Sequence, residues 1–178
     1  MKSKLLVVVD MQNDFITGSL GTPEAEAIVP NVIQKIESWD GDIVATLDTH
    51  EENYLETTEG KFLPVPHCIF STEGHCIESD VYAALQHKGG ECRLTYVQKP
   101  TFGSTALPEI IRGKNYESIE IIGLCTDICV VSNTLILKAN YPETEIIVDA
   151  SCCAGVTPET HKAALATMKM CHIKIVGE

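Results

Sequence analysis

Six short runs of β-branched and other apolar residues recur along this 178-residue chain, most of them separated by segments long enough for a helix. They are KLLVVV (4–9), DIVATLD (42–48), RLTYVQK (93–99), SIEIIG (118–123), TEIIVD (144–149) and IKIV (173–176). Continuous apolar runs of this length suit strands buried on both faces. Over residues 24–38, Ala27, Ile28, Val32, Ile33 and Ile36 fall at helical spacing. Further helices are expected over 79–88, over 106–112, from Thr126 to Ala139 and from Pro158 to Met170. Strands alternating with helices imply βαβ units with right-handed crossovers. The fold class is therefore α/β: three layers, α/β/α, around a mainly parallel six-stranded sheet, in a single domain spanning 1–178. Ligands of such sheets bind beyond the carboxyl ends of the strands, near the switch in strand order. That rule selects Asp10, Asp48, Lys99, the segment 124–129 and Asp149. Residues 49–76, punctuated by Gly60, Pro64, Pro66 and Gly74, read as one long irregular connection, and connections of that length often carry function.

Composition excludes several classes of function. The formal charge is −12, with 13 Lys and Arg and no basic cluster, so neither a nucleic-acid partner nor a polybasic membrane anchor is expected. No apolar run reaches the roughly 20 residues that a bilayer span takes. Residues 1–10 set two lysines before an apolar stretch, like a signal peptide, but the stretch ends after five residues at Asp10 without a small-residue cleavage site. It reads as the first buried strand. The eight cysteines accordingly read as free thiols in a reducing cytoplasm, most of them packing as small hydrophobes.

Three strand-end residues form a chemical set. Cys129 lies in GLCTDICV (123–130), where a strand turns into a helix. The first turn of a helix offers unpaired N–H groups and a positive dipole end, which lower a thiol's pKa and can hold an oxyanion. Asp10 closes a hydrophobic strand, where a carboxylate is costly unless paired. Lys99 closes another, just before Pro100, and a cation there favours both a thiolate and a carboxylate. A second set lies in LDTH (47–50), with Asp48 and His50, and in His67 beyond it, a pattern suited to zinc, iron or manganese. Glu56 and Glu59 are the available oxygen ligands on the same connection. His75, His87, His161 and His172 read as surface or packing residues.

In order along the chain, VVVDMQNDF (7–15), TLDTH (46–50), LPVPHC (63–68), QKPTFGST (98–105) and GLCTDICV (123–130) resemble the isochorismatase-like cysteine hydrolase superfamily, most closely its nicotinamidases and pyrazinamidases. The resemblance implies a Rossmann-like sheet and a likeness covering nearly the whole length. It makes Asp10 the general base, Lys99 the catalytic lysine and Cys129 the nucleophile. It implies a cis peptide at Leu124–Cys125 and an oxyanion hole built from the backbone N–H groups of Cys125 and Cys129. Phe15 matches an aromatic pocket residue. Asp48, His50 and His67 match metal ligands, with Glu59 ahead of Glu56 as a fourth, and zinc is the first choice of metal. The implied reaction is hydrolysis of nicotinamide to nicotinate and ammonia through a thioester, and a homo-oligomer is implied as well.

One departure matters. Nicotinamidases often carry a tryptophan shortly before the metal histidine, whereas this stretch reads Phe62-Leu63-Pro64-Val65-Pro66 and the single tryptophan is Trp39. Leu63 is the available apolar replacement. Two other readings therefore stay open: an amidohydrolase for a different small amide or carbamoyl compound, and a non-catalytic thiol redox sensor.

Overall fold

The computed structural model describes residues 3–178; Met1 and Lys2, the start of the signal-like stretch, lie outside them. Strands β1 (Ser3–Val9), β2 (Asp42–Asp48), β3 (Leu94–Lys99), β4 (Tyr116–Leu124), β5 (Glu145–Ala154) and β6 (Lys174–Val176) form one sheet in the order β3-β2-β1-β4-β5-β6. Every neighbouring pair is parallel. The order reverses between β1 and β4, so the segments leaving these two strands diverge and open a crevice at the carboxyl edge.

Alternation along β1 shows how the sequence fills both sides. Leu6 and Val8 join an apolar layer with Ile28, Val32 and Ile36 of α2 (Pro23–Ser38) and Val81 and Leu85 of α4 (Ser79–Gly89). Leu5, Val7 and Val9 join the opposite layer, with Leu107 of α5 (Ala106–Ile110), Leu137 of α6 (Val131–Asn140) and Leu165 and Met168 of α7 (Pro158–Met170). The helix starts are chemically marked. Thr22 accepts the N–H of Ala25 ahead of Pro23, and Thr157 accepts that of Thr160 ahead of Pro158.

Three features differ from the sequence expectation. The long connection is not wholly irregular: it folds a 3₁₀ turn at Tyr54–Glu56 and a short helix, α3 (Thr58–Phe62), while α1 (Asn13–Ile16) follows β1. The helix expected from Thr126 opens with a π-type turn, Thr126–Val130, before α6 begins. Finally, β5 runs on past Asp149 to Ala154, because Cys153 and Ala154 pair with Gly123 and Leu124. Asp149 is thus inside the sheet rather than past its edge, and its carboxylate lies 2.7 Å from Lys35 of α2. It is a tie between layers and not part of the crevice.

Gly123 marks the close approach of β1 and β4. Its φ is 114°, and a Cβ there would stand 2.1 Å from the carbonyl oxygen of Val9. Only glycine combines that backbone conformation with that proximity.

Candidate active site and metal centre

Four strand ends bring their last residues to one place. Asp10 follows β1 with φ 49°, an unusual conformation for a side-chain-bearing residue. It is pinned there because its N–H donates to the carbonyl of Thr46 at 3.2 Å and its Oδ1 accepts the Thr46 hydroxyl at 2.6 Å. Asp10 and Lys99 are 0% and 1% exposed. The Lys99 Nζ stands 2.7 Å from Asp10 Oδ2, 3.5 Å from Cys129 Sγ and 3.2 Å from Asp48 Oδ1. One buried ammonium therefore touches the carboxylate, the thiol and the second constellation.

Burial opposes the charge on Lys99, but Asp10, Cys129 and Asp48 together hold its pKa well above the ordinary lysine range. Burial, reinforced by the neighbouring charge of Asp48, raises Asp10 more than Lys99 and Thr46 lower it. Cys129 departs from the sequence expectation. Burial, reinforced by the neighbouring negative charge of Asp10, pushes its thiol well above the ordinary value, and Lys99 does not cancel this. The fold thus sets the sulfur beside a carboxylate that can accept its proton, and burial opposes a free thiolate made by a helix end alone. The Leu124–Cys125 peptide is cis. The N–H groups of Ile128 and Val130 both donate to Cys125 O, at 3.1 and 3.0 Å, while that of Cys129 between them is not bonded to this carbonyl.

The second constellation gathers Asp48, His50, Glu59 and His67, with one potential ligand atom from each inside a 4.8 Å span. Nε2 of His50 lies 2.9 Å from Asp48 Oδ2 and 3.5 Å from Glu59 Oε1, and Nε2 of His67 lies 3.5 and 3.6 Å from the same two oxygens. His67 donates its Nδ1–H to Val65 O at 2.8 Å, which leaves the Nε2 lone pair facing the cluster. Nε2 of His50 and Oε1 of Glu59 are buried without a hydrogen-bond partner. Buried, converging and unsatisfied donor atoms of this hard and borderline type fit a divalent cation. Burial works against a charged Asp48, but the adjacent His50 and His67 and the charge of Lys99 hold its pKa below the ordinary carboxylate range. Glu56 is exposed and outside the cluster.

Between the two constellations lies a cavity of about 310 Å³. Cys125, Cys129, Asp48, Glu59 and His67 line it, and Phe15, Leu20, Leu63, Phe102, Ile128 and Val156 give it apolar walls. Trp39 is remote from it, closing the end of α2 and donating to Asp42 O.

The isochorismatase domain model matches residues 4–176. The chain belongs to the isochorismatase family. It is a hydrolase of that family, and its relatives cover nearly its whole length. An isochorismatase family protein of Bacillus subtilis is 28% identical, with 92% of each chain covered. The nicotinamidase/pyrazinamidase of Mycobacterium tuberculosis is 25% identical over 97% of this chain and 98% of its own. Among solved structures, the nicotinamidase/pyrazinamidase of B. subtilis superposes with a TM-score of 0.86 at 24% identity, covering 99% of this chain and 100% of that one. The pyrazinamidase of Pyrococcus horikoshii, solved in complex with zinc, gives 0.76 at 30% identity over 99% of both chains.

Several residues of this family member's site escaped the sequence reading. Gln12 clamps the Asp48 backbone, accepting its N–H at 2.7 Å and donating to its carbonyl at 2.9 Å. Asp14 accepts the N–H of Cys68 at 2.7 Å and so fixes the segment carrying His67. Both stand in the MQNDF motif, and an amide or carboxylate next to a strand end is the signal that could have found them. Tyr54 packs its ring 4.8 Å from His50 and 5.0 Å from His67, and nothing local in the sequence marks it. His161 is not a free surface residue: its Nδ1 lies 2.8 Å from the hydroxyl of Thr126. His75 is buried, 2.9 Å from the Thr49 hydroxyl, and both histidines are packing residues.

Proposed function

We propose that the protein hydrolyses a small heteroaromatic amide, nicotinamide to nicotinate and ammonia in the first instance, through a thioester on Cys129. The observation that carries this reading is the buried contact set of Lys99, with Asp10 and Cys129 in reach of one ammonium at the wall of an apolar cavity. Asp10 takes the proton of the Cys129 thiol as the sulfur bonds to the amide carbon. The negative charge moves to the amide oxygen, which accepts the N–H groups of Cys125 and Cys129. Breakage of the C–N bond then expels ammonia, with the proton returned from Asp10. Water loses a proton to Asp10, adds to the thioester carbon and releases the acid, and Asp10 returns the proton to sulfur. Lys99 stays cationic throughout, holding Asp10 in place and stabilising the thiolate while it exists.

Asp48, His50, Glu59 and His67 would hold a divalent metal, zinc first, with iron or manganese as alternatives. Such an ion supplies a Lewis-acid anchor for a ring nitrogen and so orients the amide toward Cys129. Phe15 and Leu63 would flank the ring. The zinc complex of the P. horikoshii relative and the nicotinamidase names of other relatives support this reading. The eight free thiols support a reducing, cytoplasmic setting. Among the described residues no helix is long and apolar enough to cross a membrane.

The second reading, another small amide or carbamoyl compound, draws on Leu63 standing where an aromatic wall is expected. A redox sensor is disfavoured by the buried contacts of Lys99 with Asp10 and Cys129, since sensing needs neither the strand-end carboxylate nor the lysine. Ammonia release from nicotinamide, pyrazinamide and aliphatic amides, with and without a chelator, tests the assignment. Release from nicotinamide that is lost on chelation supports it; turnover confined to other amides keeps the chemistry and replaces the substrate.

A further inference from the structure

A second space adjoins the reactive cavity. It is a more open groove of about 500 Å³ over Phe62, Pro100 and Thr101, and Glu59, Leu63 and Phe102 line both spaces. Leu63 and Phe102 are thus a partition with a cavity on each side. The groove's ionisable lining is limited to His50 and Glu59, whose buried unpartnered atoms face the metal cluster, so the remainder offers hydroxyl and apolar surface. Phe62 is 89% exposed and Phe102 45%, an aromatic pair left in water beside the mouth of the reactive cavity. Apolar surface in such a position gains free energy when a ligand covers it. Phe62 and Thr101 line this groove and not the reactive cavity beside Cys129.

We propose that the groove is a specificity subsite, and that the preferred substrates are N-heteroaromatic carboxamides bearing a neutral, apolar substituent on the ring edge remote from the amide. This rests on the amidase reading of Cys129 and adds the substrate class to it. The reaction is unchanged: water cleaves the same C–N bond, and the substituent contributes binding alone. A substituent passing between Leu63 and Phe102 would stack against Phe62 and Pro100, and an anionic one would be repelled by Glu59 and the acidic chain.

The test compares nicotinate with 5-phenylnicotinate, and the corresponding amides, on the purified protein. Equilibrium binding of the two acids reads the groove without any turnover. The phenyl acid is expected to bind on the order of tenfold tighter, as burial of part of an aromatic ring predicts. Phe62→Ala, which alters the groove and not the reactive cavity, is expected to remove most of that gain and leave nicotinate binding unchanged. Thr101→Trp, which fills the groove, should do the same. Equal or weaker binding of the phenyl acid overturns the proposal, as does a gain that survives both substitutions. Turnover separates this from the underlying reading. If the phenyl acid binds as expected but neither amide releases ammonia, the amidase assignment fails and the subsite stands. If nicotinamide is hydrolysed and its phenyl derivative neither binds nor reacts, the subsite fails and the amidase stands.

Discussion

At the scale of single residues, Lys99 organises the site. It is a buried cation between Asp10, Asp48 and Cys129, so each of those groups is defined by its presence. Lys99→Met should cost roughly 3–5 kcal/mol, since it leaves two carboxylates buried without their cation. Chemical denaturation of the variant checks this, and an unchanged midpoint would refute the pairing. Cys129→Ala removes a small buried thiol and is expected to keep the fold while lowering turnover by at least about 10⁴-fold, as loss of a nucleophile does. Circular dichroism beside an ammonia assay separates those two effects. The placement of Asp10, Lys99 and Cys129 at one sheet edge was legible because Asp10 ends an apolar run, Lys99 ends a strand before Pro100 and Cys129 sits where a strand turns into a helix. The burial that opposes ionisation of Cys129 was not legible. A helix end lowers a thiol's pKa, but burial against a carboxylate raises it more, and burial is a property of the assembled fold.

At the scale of elements, the carboxyl edge depends on how closely β1 and β4 approach. Gly123→Ala would drive a methyl into the Val9 carbonyl at a positive φ, and it is expected to destabilise the protein by about 3 kcal/mol or more. Thermal denaturation reads that loss directly; a variant as stable as the parent would contradict the register at this point. The segment after β4 is also held from outside, by His161 of α7 on Thr126 and by the Asp127 carboxylate accepting the Val156 N–H. The strand and long-helix boundaries were readable within a few residues from apolar period and capping residues. The short pieces were not. The π-type turn, α3 and the extension of β5 past Asp149 arise from partners far away in sequence, such as the pairing of Cys153 with Gly123. Tyr54 was invisible for the same reason, since its two histidines reach it only after residues 49–67 have folded.

For the whole molecule, two ties should set how stability responds to conditions. Lys35 of α2 lies 2.6 Å from Glu120 on β4 and 2.7 Å from Asp149 on β5, joining a helical layer to the sheet. Burial tends to raise Asp149, but hydrogen bonds from Lys35 and Ser151 hold it below its ordinary value of 3.8. A depressed carboxyl stabilises the fold above its unfolded-state value, and that stability is lost as pH falls through the folded-state value. Lys35→Met should therefore cost roughly 1 kcal/mol at neutral pH, after solvent screening, and weaken the dependence of stability on pH below 3.8. Denaturation midpoints at neutral and acid pH test this; parallel loss at both would point to packing instead of charge. The proposed metal site is the other tie, since Asp48 and His50 beside β2 meet Glu59 and His67 of the long connection there. Zinc at about a thousand times its dissociation constant should stabilise the fold by about 4 kcal/mol. His67→Ala should remove both that gain in Tm and the bound zinc seen by elemental analysis.

The most direct test of the catalytic account is acid quench of the protein during turnover of its best amide, followed by mass spectrometry of its peptides. The account predicts one acyl group, from the acid half of the substrate, on the peptide carrying Cys129. An acyl group on another residue, or product formation by Cys129→Ala at the parent's rate, would contradict it.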